Sequence, residues 1–237
     1  MERDEWLTAV SNIPSYRVSD IFVGQLYPDP GKWPAGFYSC RLATSNIAAA
    51  KWLAQWGFYI VDTAITLERE PFQPVTGGTV HRFHSKHGIS IRVRDVQPQD
   101  YRPLLDIAEE SFSCSRFALD PHIPRQTVSD IKRAWLGSYF SNGRGERVLV
   151  VASGNEAAGF LAVLQQPDAM VIDLIGVKAG ERQQGIGRAL TRHFCALYQK
   201  QTVRVGTQAA NIPSLRLYYS LGFVPTKTEF VLHAHIG

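Results

Sequence analysis

Three apolar runs stand almost end to end between residues 147 and 177: RVLVVAS, AAGFLAVLQ and AMVIDLIGV. Each has strand length, and the turn-forming SGNE separates the first two, so antiparallel pairing is expected. The third run leads through KAGERQQGIGRAL into a helix expected over 185–200 and then into TVRVGT, a further strand. A strand–helix–strand passage calls for a parallel crossover. A sheet that meets both demands must be mixed.

The flanking segments extend the pattern. ISIRVR alternates apolar and polar residues over 89–94, as a half-buried strand does. Leu104, Leu105, Ile107, Ala108 and Phe112 recur at near-helical spacing after Pro98. The loop SCSRFALDPHIPRQ precedes a helix expected over 127–140; a last helix is expected over 213–221 and a last strand over 224–232. From residue 89 the order is strand, two helices, three strands, helix, strand, helix, strand. The expected fold class is α/β, of the α+β kind, with helices on one mixed sheet.

At 45% hydrophobic and 19% charged, 237 residues suffice for a sizeable core. A net charge of +4 suits an anionic ligand, but no dense Lys/Arg run marks a nucleic-acid surface. Cys40, Cys114 and Cys195 are scattered and odd in number, which is neither a disulfide framework nor a metal motif. His81, His84 and His87 recur every third residue without Cys or carboxylate ligands nearby, so no metal is expected. The charged MERDEWLTAV is unlike a signal peptide, and no apolar stretch approaches the ~20 residues of a membrane span. A soluble, cytoplasmic protein without a membrane or nucleic-acid partner is expected.

An internal repeat is present. SNIAAAKWLAQWGFYIVDTAITL (45–67) aligns without a gap on ANIPSLRLYYSLGFVPTKTEFVL (210–232). Asn46, Ile47, Gly57, Phe58, Thr63 and Leu67 match Asn211, Ile212, Gly222, Phe223, Thr228 and Leu232. Both copies read as an Asn-led helix, a glycine stop and a strand. Such a match arises by chance or by partial duplication. Under duplication, residues 1–87 form a smaller N-terminal domain and 88–237 the main one, joined by TGGTVHRFHSKHG. Trp52 and Trp56, at i and i+4, read as core or domain interface.

The chemistry concentrates in ERQQGIGRAL. Amides in a glycine-rich turn from strand to helix point outward, and the helix dipole adds partial positive charge, so a pyrophosphate can settle there. Gly185 and Gly187 permit close approach, and Arg182 and Arg188 can add charge-assisted hydrogen bonds. The plainer reading is a tight turn. Two other phosphate loops are excluded by spacing. Gly187 is followed by Arg188-Ala189 rather than Lys-Ser/Thr, and no third glycine completes G-x-G-x-x-G.

What the stretch does match is Arg/Gln-x-x-Gly-x-Gly/Ala after a strand ending in valine: Val177, then Arg182-Gln183-Gln184-Gly185-Ile186-Gly187. This resembles the acetyl-CoA motif of the GCN5-related N-acetyltransferases (GNATs), and the element order is also that family's. The downstream NIPSLRLYYSLGF resembles the family's later motif, with Asn211, Tyr218, Gly222 and Phe223 in its places. The resemblance covers residues 89–232. Over the whole chain, more patchily, the sequence is similar to family members that N-acetylate dTDP-4-amino-4,6-dideoxygalactose. ATSNIAAAKWLAQWGF, SFSCSRF and RVGTQAANIPSLRLYYSLG carry that likeness.

The resemblance implies acetyl-CoA as cosubstrate, with backbone around Ile175 and Val177 pairing with its pantetheine arm. It implies that amides of Gln183, Gln184, Gly185, Ile186, Gly187 and Arg188 hold the pyrophosphate. Tyr218 would protonate the sulfur, and Asn211 would bond the pantetheine. A phenol is protonated at pH 7 and ready to donate; the plainer reading of Tyr218 is a packed aromatic, and Tyr219, turned about 100° away, is the weaker candidate. Leu53 occupies the place of Tyr218 in the first copy, so residues 1–87 are expected to be a degenerate, non-catalytic GNAT-like domain. Asp173, on the face of Ile175 and Val177 in an alternating strand, is a candidate base or merely a solvated aspartate. Arg116 is a candidate for a nucleotide diphosphate, and Asp120 and His122 for other acceptor contacts. The implied acceptor is the 4-amino group of a dTDP- or UDP-linked 4-amino-4,6-dideoxy sugar. The alternatives are another small amine, an antibiotic or a peptide, or a non-catalytic acyl-CoA sensor. A homodimer is left open.

Overall fold

The computed structural model describes residues 1–19, 32–71, 82–84, 90–141, 143–153 and 156–237. The join expected at 76–88 lies outside the described residues except for 82–84, and with it His81 and His87. So do residues 154–155 of the SGNE turn.

The first part of the chain forms β1 (Glu2–Arg3), α1 (Glu5–Ser11), β2 (Ser15–Val18), β3 (Gly36–Ala43), α2 (Ile47–Ala54), β4 (Tyr59–Arg69) and β5 (Arg82–His84). The second forms β6 (Ser90–Asp95), α3 (Tyr101–Glu110), α4 (Arg116–Leu119), α5 (Arg125–Ser141), β7 (Arg147–Ser153), β8 (Glu156–Gln165), β9 (Met170–Val177), α6 (Ile186–Leu197), β10 (Val203–Gln208), α7 (Ile212–Tyr219) and β11 (Val224–Ile236). These strands make one mixed sheet in the order β1-β2-β3-β11-β4-β10-β9-β8-β7-β6-β5. The meander β6 to β9 is antiparallel and β9 pairs parallel with β10, as the connections require. The short elements α1, α4, β1 and β2 span too few residues to show a periodicity, and β3 was also unanticipated.

The repeat reappears as a local twofold. Residues of the first copy map onto the second by adding 165 (211 − 46), which carries α2 onto α7 residue for residue. Asn46 and Asn211 both cap their helices, accepting from the amides of Ala49 (3.1 Å) and Ser214 (3.3 Å). Gly57 and Gly222 both end the helix with left-handed φ, 84° and 82°. The β4–β11 ladder maps onto itself: Ile65↔Thr228 becomes Thr63↔Phe230, Val231↔Asp62 becomes Lys227↔Thr66, and the two register shifts exchange. Likewise Gln208↔Ala64 matches Ala43↔Glu229. The axis is perpendicular to the sheet, between Ala64 and Glu229. Each copy's last strand fills the gap in the other copy's sheet, so the edges that either alone would leave open are paired. The described part of the N-terminal segment is thus built into the sheet of the second half through β4.

Helices α2, α6 and α7 cover one face, the back, where Leu67, Leu161, Ile172, Phe194, Tyr218 and Phe223 form the largest cluster. Leu53, Phe58 and Leu232 pack under α2. Helices α1, α3, α4 and α5 cover the front, over Leu104, Leu136, Phe160 and Leu174 and over Leu7, Phe37, Phe117 and Ile131. Trp52 packs on the α2 core, whereas Trp56 lies past the helix end and is exposed. Among the described residues no helix is long and apolar enough to cross a membrane, and no group of three or more His, Cys, Asp or Glu could hold a metal ion.

Candidate active site

β9 and β10 start as partners and then part. They pair at Val203↔Met170, Arg204↔Val171 and Val205↔Ile172, and among the described residues no pair joins them further on. The parting coincides with a bulge: Val163 faces Ile172 and Ala162 faces Leu174, which leaves Asp173 without a partner on β8. Beyond the bulge, the amide of Lys178 donates to Ala158 O on β8 (2.9 Å). By alternation, the backbone groups of Ile175 and Val177 point away from β8 into the opening. Val177 O there accepts from Arg182 Nε (3.1 Å).

The glycine-rich turn stands at the mouth of this opening. Gln183 and Gly185 are both left-handed, at φ 62° and 92°. Left-handed backbone at a non-glycine residue costs roughly 1–2 kcal/mol, and successive turns of this kind converge amides as in an anion-binding nest. The first bond of α6 runs from Ala189 N–H to Gly185 O, so the amides of Ile186, Gly187 and Arg188 have no acceptor within the helix. A Cβ on Gly187 would meet Leu217 at an ordinary 3.6 Å. The interior therefore does not require glycine there, although glycine weakens a helix. Close approach from outside the chain is what it permits. Arg182 braces the turn through Val177 O and Glu110 O (3.3 Å), and Arg188 bonds Ser220 Oγ (2.8 Å). Gln184 bonds Gly180 O (3.4 Å).

On the far side of the opening, Asn211 spends its side-chain oxygen on the α7 cap, the role Asn46 has in the first copy. Tyr218 is buried in the back core beside Phe223, ring centroids 5.5 Å apart. Burial, with a smaller contribution from Cys195, holds its phenol well above the usual pKa. Tyr219 is half exposed. Ser111, in the loop after α3, was not anticipated. Its Oγ is buried without a hydrogen-bond partner among the described residues, and a Cβ on Gly176 of β9 would come within 3.1 Å of it.

Asp173 does not share a face with Ile175 and Val177. The bulge reverses the alternation, and the carboxylate turns to α5, where Oδ2 accepts from Trp135 Nε1 (2.9 Å), Tyr139 OH (2.8 Å) and Arg144 Nε (3.2 Å). Asp120 is likewise taken up by the chain itself. Oδ1 accepts from Tyr59 OH (2.8 Å) and the amide of His122 (2.9 Å), and Oδ2 contacts His233 Nδ1 (2.7 Å) and His235 Nε2 (3.1 Å). No lone pair remains for an acceptor, so the expected substrate contact gives way to a structural role. His122 is exposed, 5.2 Å from the His235 ring. Arg116 is half-buried over the Phe117 ring (4.3 Å).

This network makes stability depend on pH. Burial alone would raise the Asp120 pKa, but its hydrogen bonds outweigh that and hold it well below the usual carboxylate range. Burial lowers the His233 pKa despite Asp120. Both groups bind protons more readily unfolded than folded, so both stabilise at high pH and less as pH falls. Urea midpoints are expected to fall from about pH 6.5 as His233 is forced to charge, and further below about pH 4 as Asp120 protonates. A midpoint that rises on acidification would contradict this account.

The family model for the acetyltransferase (GNAT) family matches residues 103–223, just over half of the chain. The chain belongs to that family. The spore coat polysaccharide biosynthesis protein SpsD of Bacillus subtilis (strain 168) is 27% identical over 205 residues, 85% of this chain and 67% of that protein. A GCN5-related N-acetyltransferase from Sphaerobacter thermophilus superposes with a TM-score of 0.60 at 18% identity, over 84% of this chain and 59% of that one. This chain thus spans less than two thirds of that structure. A tandem GNAT protein from the clavulanic acid biosynthesis pathway gives 0.51 at 13% identity, over 85% and 64%. The structural likenesses show the shared fold.

Proposed function

We propose that the protein is an acetyl-CoA-dependent N-acetyltransferase acting on the 4-amino group of a nucleotide-linked 4-amino-4,6-dideoxy sugar. The observation that carries the reading is the opening between β9 and β10 with the unbonded amides of α6 at its mouth. Acetyl-CoA supplies an activated acetyl group as a thioester. Amides from Gln183 to Arg188 hold its pyrophosphate, braced by Arg182, and the backbone of Ile175 and Val177 continues the sheet along the pantetheine with Asn211 opposite. Ser111 Oγ, unpartnered beside Gly176, adds a polar contact. The acceptor nitrogen attacks the acetyl carbonyl, the C–S bond breaks, Tyr218 gives its proton to the departing sulfur, and the proton lost by the nitrogen passes through water to restore the Tyr218 phenol. Asp173, bound by three donors, anchors the bulge that opens the strands rather than taking the amine proton. Residues 1–87 act as a degenerate, non-catalytic repeat, with Leu53 where the second copy has Tyr218. Arg116 and His122 lie on the acceptor side. The sugar acceptor is supported by the polysaccharide role in the name of SpsD.

The test is an acceptor panel read by release of free CoA. A dTDP-4-amino-4,6-dideoxyhexose is expected to be acetylated faster than polyamines, peptides or aminoglycosides. The opposite ranking refutes the sugar reading. Binding of acetyl-CoA without turnover of any amine would favour a sensor.

A further inference from the structure

Beside the opening, the front of the sheet is bare. β10 turns Val203 and Val205 into the back core, so Gly206 faces front, just past the last β9–β10 pair. A Cβ on Gly206 would meet nothing within 4 Å. β4 turns Ile65 and Leu67 to the back, so Thr66, Ala64 and Asp62 follow one another on the front, with Thr66 opposite Gly206 and Ala64 opposite Gln208. No register shift interrupts β4 between Ala64 and Asp62, and Ala209 N–H still donates to Thr63 O (2.8 Å). Asp62 therefore stands at the rim of this bare surface, about 7 Å along β4 from Ala64. Only β10 separates its strand from the opening.

Asp62 is 8% exposed, yet among the described residues its one hydrogen bond is local: Oδ1 accepts from the amide of Thr63 (2.7 Å). A carboxylate can accept about four. The other front-face acids have side-chain partners. Glu68 pairs with Arg204, Glu229 with Lys227 (2.8 Å), Asp173 with α5, and Asp120 with Tyr59 and the two histidines. The charged groups on the elements around Asp62 are Arg41 of β3, Arg116 of α4 and the Lys227–Glu229 pair of β11. Burial pushes the Asp62 carboxyl above its usual range, against smaller opposing effects of the Thr63 amide and Arg41. The fold does not ask for an acid there: adding 165 to 62 gives Lys227, a cation at the same place in the second copy. A buried charge so poorly supported is costly, and a bound cation would offset the cost.

We propose that Asp62 binds the ammonium form of the acceptor and takes, directly or through one water, the proton that must leave before the nitrogen can attack. The proposal rests on the reading of the protein as an N-acetyltransferase, not on the identity of the sugar. The protons balance. The first passes from the ammonium to Asp62 and on to solvent. The second leaves the nitrogen once the C–N bond has formed and restores the Tyr218 phenol. The first copy of the repeat, without a cofactor turn or tyrosine of its own, thus serves the chemistry of the second.

The experiment is steady-state kinetics of full-length Asp62→Asn with whichever amine of the acceptor panel is acetylated fastest, so a failed sugar reading leaves the test intact. At pH 7, kcat/KM for the amine is expected to fall by about 10²- to 10⁴-fold. KM for acetyl-CoA and the rise in Tm that it causes stay as in wild type, and the Tm of the free variant is no lower. The deficit shrinks as pH rises through the pKa of the amine, because a free amine needs no base. Asp62→Glu recovers part of the activity. In wild type, the acidic limb of kcat/KM lies below the pKa of the amine and above the ordinary carboxylate value of about 3.9. An undiminished kcat/KM in Asp62→Asn, a deficit that does not change with pH, a lowered Tm, or a wild-type limb at the pKa of the amine overturns the proposal. If no amine of the panel is acetylated, it falls with the reaction.

Discussion

Tyr218→Phe lowers kcat by about 10²- to 10⁴-fold, the range for loss of a general acid, and leaves KM for acetyl-CoA within about twofold. The substitution removes one hydroxyl from a side chain whose ring packs against Phe223 and the back core, so the fold and the α6 cradle are left in place. The raised pKa of Tyr218 keeps the phenol protonated across the usable range, and the wild-type kcat profile should show no alkaline fall attributable to it below about pH 10. Tyr219→Phe is the control: half exposed, it should cost little. Stopped-flow or steady-state release of free CoA measures both. Undiminished turnover in Tyr218→Phe removes it as the proton donor.

Gly185→Glu abolishes the stabilisation of the protein by acetyl-CoA. At a concentration about 100-fold above Kd, a ligand adds about 2.7 kcal/mol, or roughly 5–10 °C in Tm for a chain of this size. The variant loses this on two counts. Gly185 is left-handed at φ 92°, and a side chain there forces the turn to reorganise, while a carboxylate repels the pyrophosphate. No neighbour lies within 4 Å of a Cβ at this position, so the apo fold does not suffer from crowding. Differential scanning fluorimetry with and without acetyl-CoA reads the effect, with Gly185→Ala to separate conformation from charge. A full shift in Gly185→Glu would place the cofactor elsewhere.

Much of the second half was legible because its signals are local. Strand length, the SGNE turn, the glycine-rich loop and the Asn-led helix depend on a few adjacent residues, and the meander and crossover follow from their order. The repeat was legible too, since Asn46, Gly57, Asn211 and Gly222 serve capping chemistry written in a short window. Asp173 shows where such reading stops. Strict alternation sets it with Ile175 and Val177, but one extra residue against β8 turns it to Trp135 and Tyr139. A bulge is decided by how two strands match in register, and no single strand encodes that. Asp120 failed for a related reason: its partners His233 and His235 lie more than a hundred residues away.

By itself, then, the sequence determined the local elements, their succession, the caps at both copies of the repeat and the residues of the cofactor turn. Each of these is an energy between near neighbours along the chain. Only the tertiary structure decided that β4 and β11 exchange places, that β9 and β10 part after Ile172 and Val205, and that Asp120 meets His233 and His235. Those outcomes depend on pairing between strands far apart in sequence, where the satisfaction of open sheet edges and the burial of both faces are settled together.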